Sequence, residues 1–352
     1  MKLLFVTQVV DRNDGVLGAY HGWLTELAKH TERIEVICLY EGEHDLPANV
    51  TVHSLGKESL SSRRKPLHRL LYVFRFKRLA WTLRHDYDAV FVHMNQEYLL
   101  IAGPFWKLLG KRIYMWRNHY AGSWLTDIAA AFCTKIFSTS RHSYTARYRK
   151  NVLMPVGIDT SLFRPDTSMA RKPRSILFLA RMTPSKNPLM LIEALRELKE
   201  KRVPFTATFV GSPPPEHEAY YRSLAGRAEH YGIAEYVTFL PNVSNRETPD
   251  LYRAHEVFVN CSRSGMFDKT IFEAVASGCV PFARSRDWEM LVGDERLSFA
   301  ENGGSLAARL AAFFSLGETE QEAVRDMLAE RAVAPNALSA LIVALEREMG
   351  LE

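Results

Sequence analysis

Three charged side chains in this 352-residue chain have the type and spacing to do chemistry: Glu273, one turn into a short helix, and Arg181 and Lys186, two cations on a single loop. A bound phosphate needs positive charge and open backbone N–H groups, and a hydroxyl beside it needs an acceptor. The elements that must position Glu273 can be read from residues 257–283, VFVNCSRSGMFDKTIFEAVASGCVPFA. The run Val257–Val259 predicts a buried parallel strand and Ser262–Lys269 a polar loop. A helix is predicted from Thr270 to Gly278, with Ile271, Phe272, Ala274 and Val275 on its apolar face, and a second strand at Val280–Ala283. In open parallel sheets ligands bind where loops leave the carboxyl ends of strands, and the next helix offers its N–H groups to an anion. Thr270 and Glu273 also spell a capping box, T-x-x-E, and spacing alone favours that purely structural role.

The run Phe272–Pro281, F-E-A-V-A-S-G-C-V-P, resembles the EAMASGxPV signature of the family 4 retaining glycosyltransferases. MPVGIDTSLFRPD, residues 154–166, is similar to that family's NGVDxxxFxP segment. Arg181 and Lys186 repeat its GRLxxxKG spacing, with Ala180 in place of the first glycine. The resemblance covers nearly the whole chain and is strongest from 150 to 285. Two departures fall at the sugar end of the pattern: Gly265 stands where the family has a glutamate, and Met266-Phe267-Asp268 replaces the usual glycine-phenylalanine-glycine.

The resemblance implies an α/β fold of two Rossmann-like doubly wound domains facing across a cleft, the GT-B architecture. Its boundaries here are an acceptor domain over 1–155, a linker over 156–173 and a nucleotide-sugar donor domain over 174–335. A C-terminal helix, 336–352, would pack back on the first domain. The implied reaction is metal-independent transfer of a sugar, with retention of configuration, from a UDP- or GDP-sugar to a glycan or lipid-linked acceptor, with no cofactor. In that scheme Arg181 and Lys186 stabilise the departing diphosphate, Glu273 holds the ribose and His119 meets the donor sugar. Backbone around Asp268, Lys269 and Thr270 adds N–H groups to the phosphates. Gly18 and Gly211 approach the diphosphate, and Asn242 and Val243 contact the base. Asp268 and Lys269 are candidates to replace the absent glutamate in sugar recognition, with helix capping by Asp268 as the alternative. A non-catalytic sugar-nucleotide-binding protein is the rival reading, drawn from the missing glutamate at 265.

Strands and helices alternate from the start, the rhythm of a doubly wound sheet. Strands are predicted at Leu3–Val10, Ile34–Tyr40, Ala89–His93, Arg112–Trp116, Phe205–Val210 and Val237–Leu240, with a helix near Pro188 and a helical tail from Ser305 broken at Pro335. The loop holding Gly15 and Gly18 lacks a G-x-G-x-x-G, and a tight turn with positive φ at both glycines explains it as well as a phosphate does. Asp86-Tyr87-Asp88 precedes its strand, so its carboxylates fall at the wrong end for a metal site. His93 and Glu97, at the other end, are better placed.

The charged fraction of 24% and hydrophobic fraction of 47% exclude a disordered or membrane-embedded chain, and the net charge of +5 hints at an anionic partner. Cys38, Cys133, Cys261 and Cys279 lack metal-like spacing and read as small buried hydrophobes in a reducing cytoplasm. Residues 61–85 carry Arg63, Arg64, Lys65, Arg69, Arg75, Lys77, Arg78 and Arg84 before the first acid, Asp86. A helical wheel sorts their apolar residues into two arcs: Leu67, Leu70, Leu71, Phe74 and Trp81, and Tyr72, Phe76, Leu79 and Leu83. One arc suits the domain's own core and the other an anionic membrane surface, which predicts a cytoplasmic protein peripheral to the membrane. No nucleic-acid-binding motif accompanies the charge.

Overall fold

The computed structural model describes residues 1–59 and 65–351. It divides into two compact units, Met1–Pro155 with Ser339–Glu352, and Val156–Leu338. Unit 1 forms, among the described residues, a parallel sheet of β1 (Lys2–Val10), β2 (Arg33–Glu41), β3 (Val50–Ser54), β4 (Ala89–His93), β5 (Arg112–Trp116), β6 (Lys135–Ser138) and β7 (Asn151–Leu153). The spatial order is β3-β2-β1-β4-β5-β6-β7, so the winding direction reverses between β1 and β4. Both faces are covered, which is why Leu3–Val6 and Ala89–Val92 are apolar without alternation and fully buried. The covering helices are α1 (Ala19–Ala28), α2 (Lys65–Thr82), α3 (Glu97–Leu108) and α4 (Trp124–Phe132).

Helix α2 divides its apolar residues as the wheel predicts. Phe76 and Ala80 are buried, Tyr72, Leu79 and Leu83 are half-buried, and all pack in a cluster with Val90, Val92, Tyr98 and Trp106. The other arc faces out except at Leu71, which is half-buried: Leu67 is 58% exposed, Leu70 68%, Phe74 66% and Trp81 55%. Lys77 and Arg78 are exposed beside it, and the Arg84 guanidinium lies 4.4 Å from the Trp81 ring centroid. Arg63 and Arg64 lie outside the described residues.

Unit 2 repeats the architecture on a smaller scale. Its parallel sheet runs β10 (Val237–Leu240), β9 (Thr206–Val210), β8 (Lys172–Leu179), β11 (His255–Asn260), β12 (Val280–Ala283), with the reversal between β8 and β11. Its helices are α5 (Pro188–Glu200), α6 (Glu218–His230), α7 (Thr248–Ala254), α8 (Lys269–Ala276), α9 (Arg286–Val292), α10 (Gly303–Phe314) and α11 (Glu318–Leu328). Residues 156–173 are not a free linker, because Val156, Ile158 and Phe163 are buried in this unit's core. The tail does break at Pro335, through a π turn at Ala329–Val333 and a 3-10 turn at Ala334–Asn336.

A final helix, α12 (Leu338–Met349), then packs on unit 1. The Met349 carbonyl accepts from the Arg112 guanidinium at 2.9 Å and the Tyr114 hydroxyl at 3.1 Å, and Lys135 pairs with Glu348 at 3.0 Å. Where the chain enters and leaves unit 2 it is pinned to itself. The Gly157 and Ile158 amides donate to the Asn336 carbonyl at 3.0 and 2.9 Å, and Leu338 N–H donates to the Ile158 carbonyl at 2.7 Å. The four cysteines are buried and free.

Candidate functional site

In unit 2 the loops after β8, β9 and β10 are tied side by side at the carboxyl edge of the sheet. Ala180 N–H donates to the Val210 carbonyl at 3.1 Å, and Met182 N–H to the Ser212 carbonyl at 3.3 Å. The Asn242 amide donates to Ser212 Oγ at 3.0 Å. Gly211 makes this approach possible: its φ is +143°, and a Cβ there would strike the Ala180 carbonyl oxygen. Gly211, Asn242 and the Arg181 loop therefore share one edge of the unit 2 sheet. Arg181 is exposed and makes no side-chain hydrogen bond or ion pair with the described residues. Asn187 closes the loop in the left-handed conformation (φ 52°) and Pro188 opens α5 at its first position, where a missing N–H costs nothing.

The fourth loop, between β11 and α8, meets this edge from the far side of the reversal. Lys186 Nζ lies 2.7 Å from both carboxylate oxygens of Asp268. The same carboxylate accepts from Ser262 Oγ at 2.6 Å and Asn260 Nδ2 at 3.0 Å. Burial alone would raise this carboxyl, but Lys186, Asn260 and Ser262 outweigh it and hold Asp268 below its ordinary range. Asp268 occupies the N-cap position of α8 with extended backbone (φ −71°, ψ 132°), yet its side chain makes no capping bond. Capping by Asp268 is thus not what the structure shows: the cation and two neutral donors out-compete the helix amides for the carboxylate.

The T-x-x-E box does not form either. Helix α8 begins at Lys269, so Thr270 lies inside the first turn and Glu273 two residues too far along for the box. Glu273 is buried, 3% exposed, and accepts from the Tyr252 hydroxyl at 3.2 Å and, weakly, from Asn245 Nδ2 at 3.5 Å. Burial raises its carboxyl above the ordinary value of 4.5, against the pull of Lys269, Tyr252 and Asn245. Burial also lowers the Lys269 ammonium, with Glu273 and Asp159 acting the other way. The loop itself turns through Gly265 at φ +89°, a conformation that disfavours the glutamate of the resembled pattern.

The unit 1 candidates lie on their own sheet edge. His119, just beyond β5, accepts the Ala121 amide on Nδ1 at 3.0 Å and stacks on Tyr120 with centroids 4.6 Å apart. Gly18 precedes α1 at φ −56°, and neither it nor Gly15 has positive φ. Gly18 is needed instead because a Cβ would press on the Asp14 carbonyl oxygen, which accepts the Gly18 amide at 3.0 Å. His93 is buried at 1% exposure in a cluster of Tyr20, Phe5 and Trp23, 3.2 Å from Thr7 Oγ1, and Glu97 is exposed in the first turn of α3. In Asp86-Tyr87-Asp88, Asp88 accepts the Lys2 amide at 2.9 Å and Tyr87 is fully buried, so the motif braces the amino ends of β1 and β4.

Sequence reasoning missed the residues that hold the charged ones: Asn245 and Tyr252 for Glu273, and Asn260 and Ser262 for Asp268. Asn260 and Ser262 carried a faint signal, two polar residues flanking a buried cysteine at a strand end. Tyr252 carried none, because α7 reaches α8 only through the fold.

Residues 159–288 match the family described as glycosyl transferases group 1. A curated relative from Mycolicibacterium smegmatis, GDP-mannose-dependent alpha-(1-6)-phosphatidylinositol monomannoside mannosyltransferase, is 34% identical over 209 residues, 52% of this chain and 52% of its own length. D-inositol 3-phosphate glycosyltransferase from Acidothermus cellulolyticus is 28% identical over 36% of this chain and 31% of its own. The chain spans about half the length of these relatives or less. Among solved structures, HepE from Anabaena, crystallised with UDP and glucose, superposes with TM-score 0.77 at 18% identity over 99% of both chains. Sucrose-phosphate synthase from Thermosynechococcus elongatus gives 0.76 at 16% identity over 99% of this chain and 98% of its own. These likenesses show the fold: two Rossmann-like domains of the GT-B kind.

Proposed function

We propose that this chain is a group 1 glycosyltransferase that binds a UDP- or GDP-sugar on unit 2 and transfers the sugar, with retention and without a metal, to a glycan or lipid-linked acceptor on unit 1. The observation that carries this reading is the meeting of four loops at one edge of the unit 2 sheet. There a buried carboxylate (Glu273), two cations (Arg181, Lys186) and the uncapped amino end of α8 serve a single ligand. A nucleoside diphosphate matches them group by group. Its ribose hydroxyls donate to Glu273, its phosphates accept from Arg181, Lys186 and the first N–H groups of α8, and its base lies against Asn242 and Val243. Cations fixed where charge develops on the leaving group stabilise the transition state more than the ground state, which is what accelerates the reaction. Purified protein is expected to transfer or hydrolyse sugar from such a donor, and a thermal-shift screen of UDP, GDP and ADP with their sugars identifies which. A ligand at a hundredfold its Kd stabilises by about 2.7 kcal/mol. Binding without turnover of any donor–acceptor pair would leave a sugar-nucleotide-binding protein.

Arg181→Ala is the cleanest test of the phosphate contacts. The side chain is exposed and supports nothing else, so the variant is expected to keep its Tm while kcat/KM falls by the lower end of a charge-assisted contact, about 1.5 kcal/mol. Unchanged kinetics remove Arg181 from the reaction.

We place the protein on the cytoplasmic face of an anionic membrane through α2. No helix among the described residues is long and apolar enough to cross a membrane. The support is the outward stripe of Leu67, Leu70, Phe74 and Trp81 flanked by cations, each worth about 1 kcal/mol near an anionic surface. Sedimentation with liposomes is expected to show binding to anionic but not neutral lipid, weakened by salt and by Ser at Arg63, Arg64, Lys65 and Arg69. Equal, negligible binding to both makes a soluble acceptor the better reading.

A further inference from the structure

Lys186 already has a partner in the ligand-free chain. Both Asp268 oxygens sit 2.7 Å from its ammonium, and Ser262 and Asn260 supply two further donors to the same carboxylate. A carboxylate has about four acceptor sites, so little of its capacity is left for sugar hydroxyls. Asp268 stands where an aspartate ordinarily caps its helix, yet it turns away to bridge the loops of β8 and β11. The Asp268 side chain is thereby withheld from its helix, and the positive charge of Lys186 is neutralised in advance.

We propose that Asp268 is a built-in counter-anion that holds Lys186 in the place of the donor's diphosphate and is displaced when the diphosphate arrives. This rests on the reading of unit 2 as a donor site. A diphosphate that reaches Lys186 and the end of α8 comes within contact range of a like charge. Coulomb repulsion at that distance, in a partly dehydrated site, is large enough to set the affinity. The ion pair gives Lys186 an alternative to the ligand, so binding exchanges one anion for another. The same exchange, run backwards, helps expel the nucleoside diphosphate product. Asp268 acts through Lys186 and is a positioning residue that tunes affinity downward. The resembled pattern has a glycine at this position, so the device belongs to this chain's own residues.

Asp268→Asn and Asp268→Gly test it together. The amide keeps neutral hydrogen bonds to Ser262 and Asn260, and the glycine removes the side chain without straining a backbone at φ −71°. Calorimetry with UDP and GDP, and with uridine and guanosine, is expected to show nucleoside diphosphate affinity rising about tenfold in both variants, with nucleoside affinity unchanged. Weaker or unaltered diphosphate binding overturns the proposal, and so does equal tightening of the nucleosides. Acylation of Lys186, followed by mass spectrometry without nucleotide, reads the ion pair directly. The variants are expected to react at least about threefold faster, since loss of the carboxylate releases the amine from its ion pair and opens it to the reagent. Unchanged labelling alongside intact diphosphate binding overturns the counter-anion alone. A wild type and variants that bind no nucleoside diphosphate overturn the donor reading and, with it, the role assigned to Asp268.

Discussion

Lys186→Ala is expected to lose both activity and stability, and the second loss separates it from Arg181→Ala. Sequence alone presents two cations on one loop with the same role. The structure makes them unequal. The Lys186 and Asp268 side chains are only 14% and 18% exposed, so removing the ammonium strands a carboxylate with two neutral donors, Ser262 and Asn260. Breaking such a pair costs about 3 kcal/mol, whereas removing both charges costs far less. Turnover should fall roughly a hundredfold or more through lost stabilisation of the leaving group. Adding Asp268→Asn should return most of the stability and none of the turnover. Denaturant unfolding and kcat/KM on the two single variants and the double variant check both statements. A double variant as unstable as Lys186→Ala, or an active Lys186→Ala, contradicts them.

Glu273→Gln is expected to weaken nucleoside binding while leaving the folded chain as stable as wild type or more so. Burial raises this carboxyl above 4.5, so the folded state holds its proton to higher pH than the unfolded state does. Below the unfolded value both states are protonated and the group costs nothing. As pH rises through the raised folded value, the chain must carry a buried carboxylate, and stability falls. Glutamine has no such charge, so the variant's advantage should be absent in acid and appear toward neutral pH. A buried, charge-assisted bond to a ribose hydroxyl contributes about 3 kcal/mol, so nucleoside affinity should drop roughly a hundredfold. Calorimetry with the nucleoside and thermal unfolding across pH test the two halves. A lower Tm at neutral pH with unaltered binding would make Glu273 a structural residue after all.

Both variants show what was legible in the chain. The strands at 89–93, 112–116, 237–240 and 280–283 read directly, because buried parallel strands are short apolar runs between breakers. β3 did not, since Val50–Ser54 is short, has only two apolar residues and is half-buried throughout. Glu273 and the Arg181–Lys186 loop were visible because each lies within one strand–loop–helix segment. The pairing of Lys186 with Asp268 was not, because 82 residues separate them and only the reversal between β8 and β11 makes them neighbours. The capping box failed for a related reason: spacing counts residues but not the tertiary donors that compete for a carboxylate.

The return of α12 to unit 1 bears on the order in which the protein comes into being. Residues 339–351 are synthesised after all of unit 2, so a ribosome carrying a finished first sheet still holds that domain open where Arg112, Tyr114 and Lys135 await their partners. Unit 2, by contrast, is one continuous stretch, Val156–Leu338. Its two ends are fastened to each other at Ile158 and Asn336, as in a domain inserted into another. Domains fold as units during translation, so the second domain can close before the first is sealed. The nascent chain then matures from the inside out, with unit 2 complete while unit 1 waits for α12.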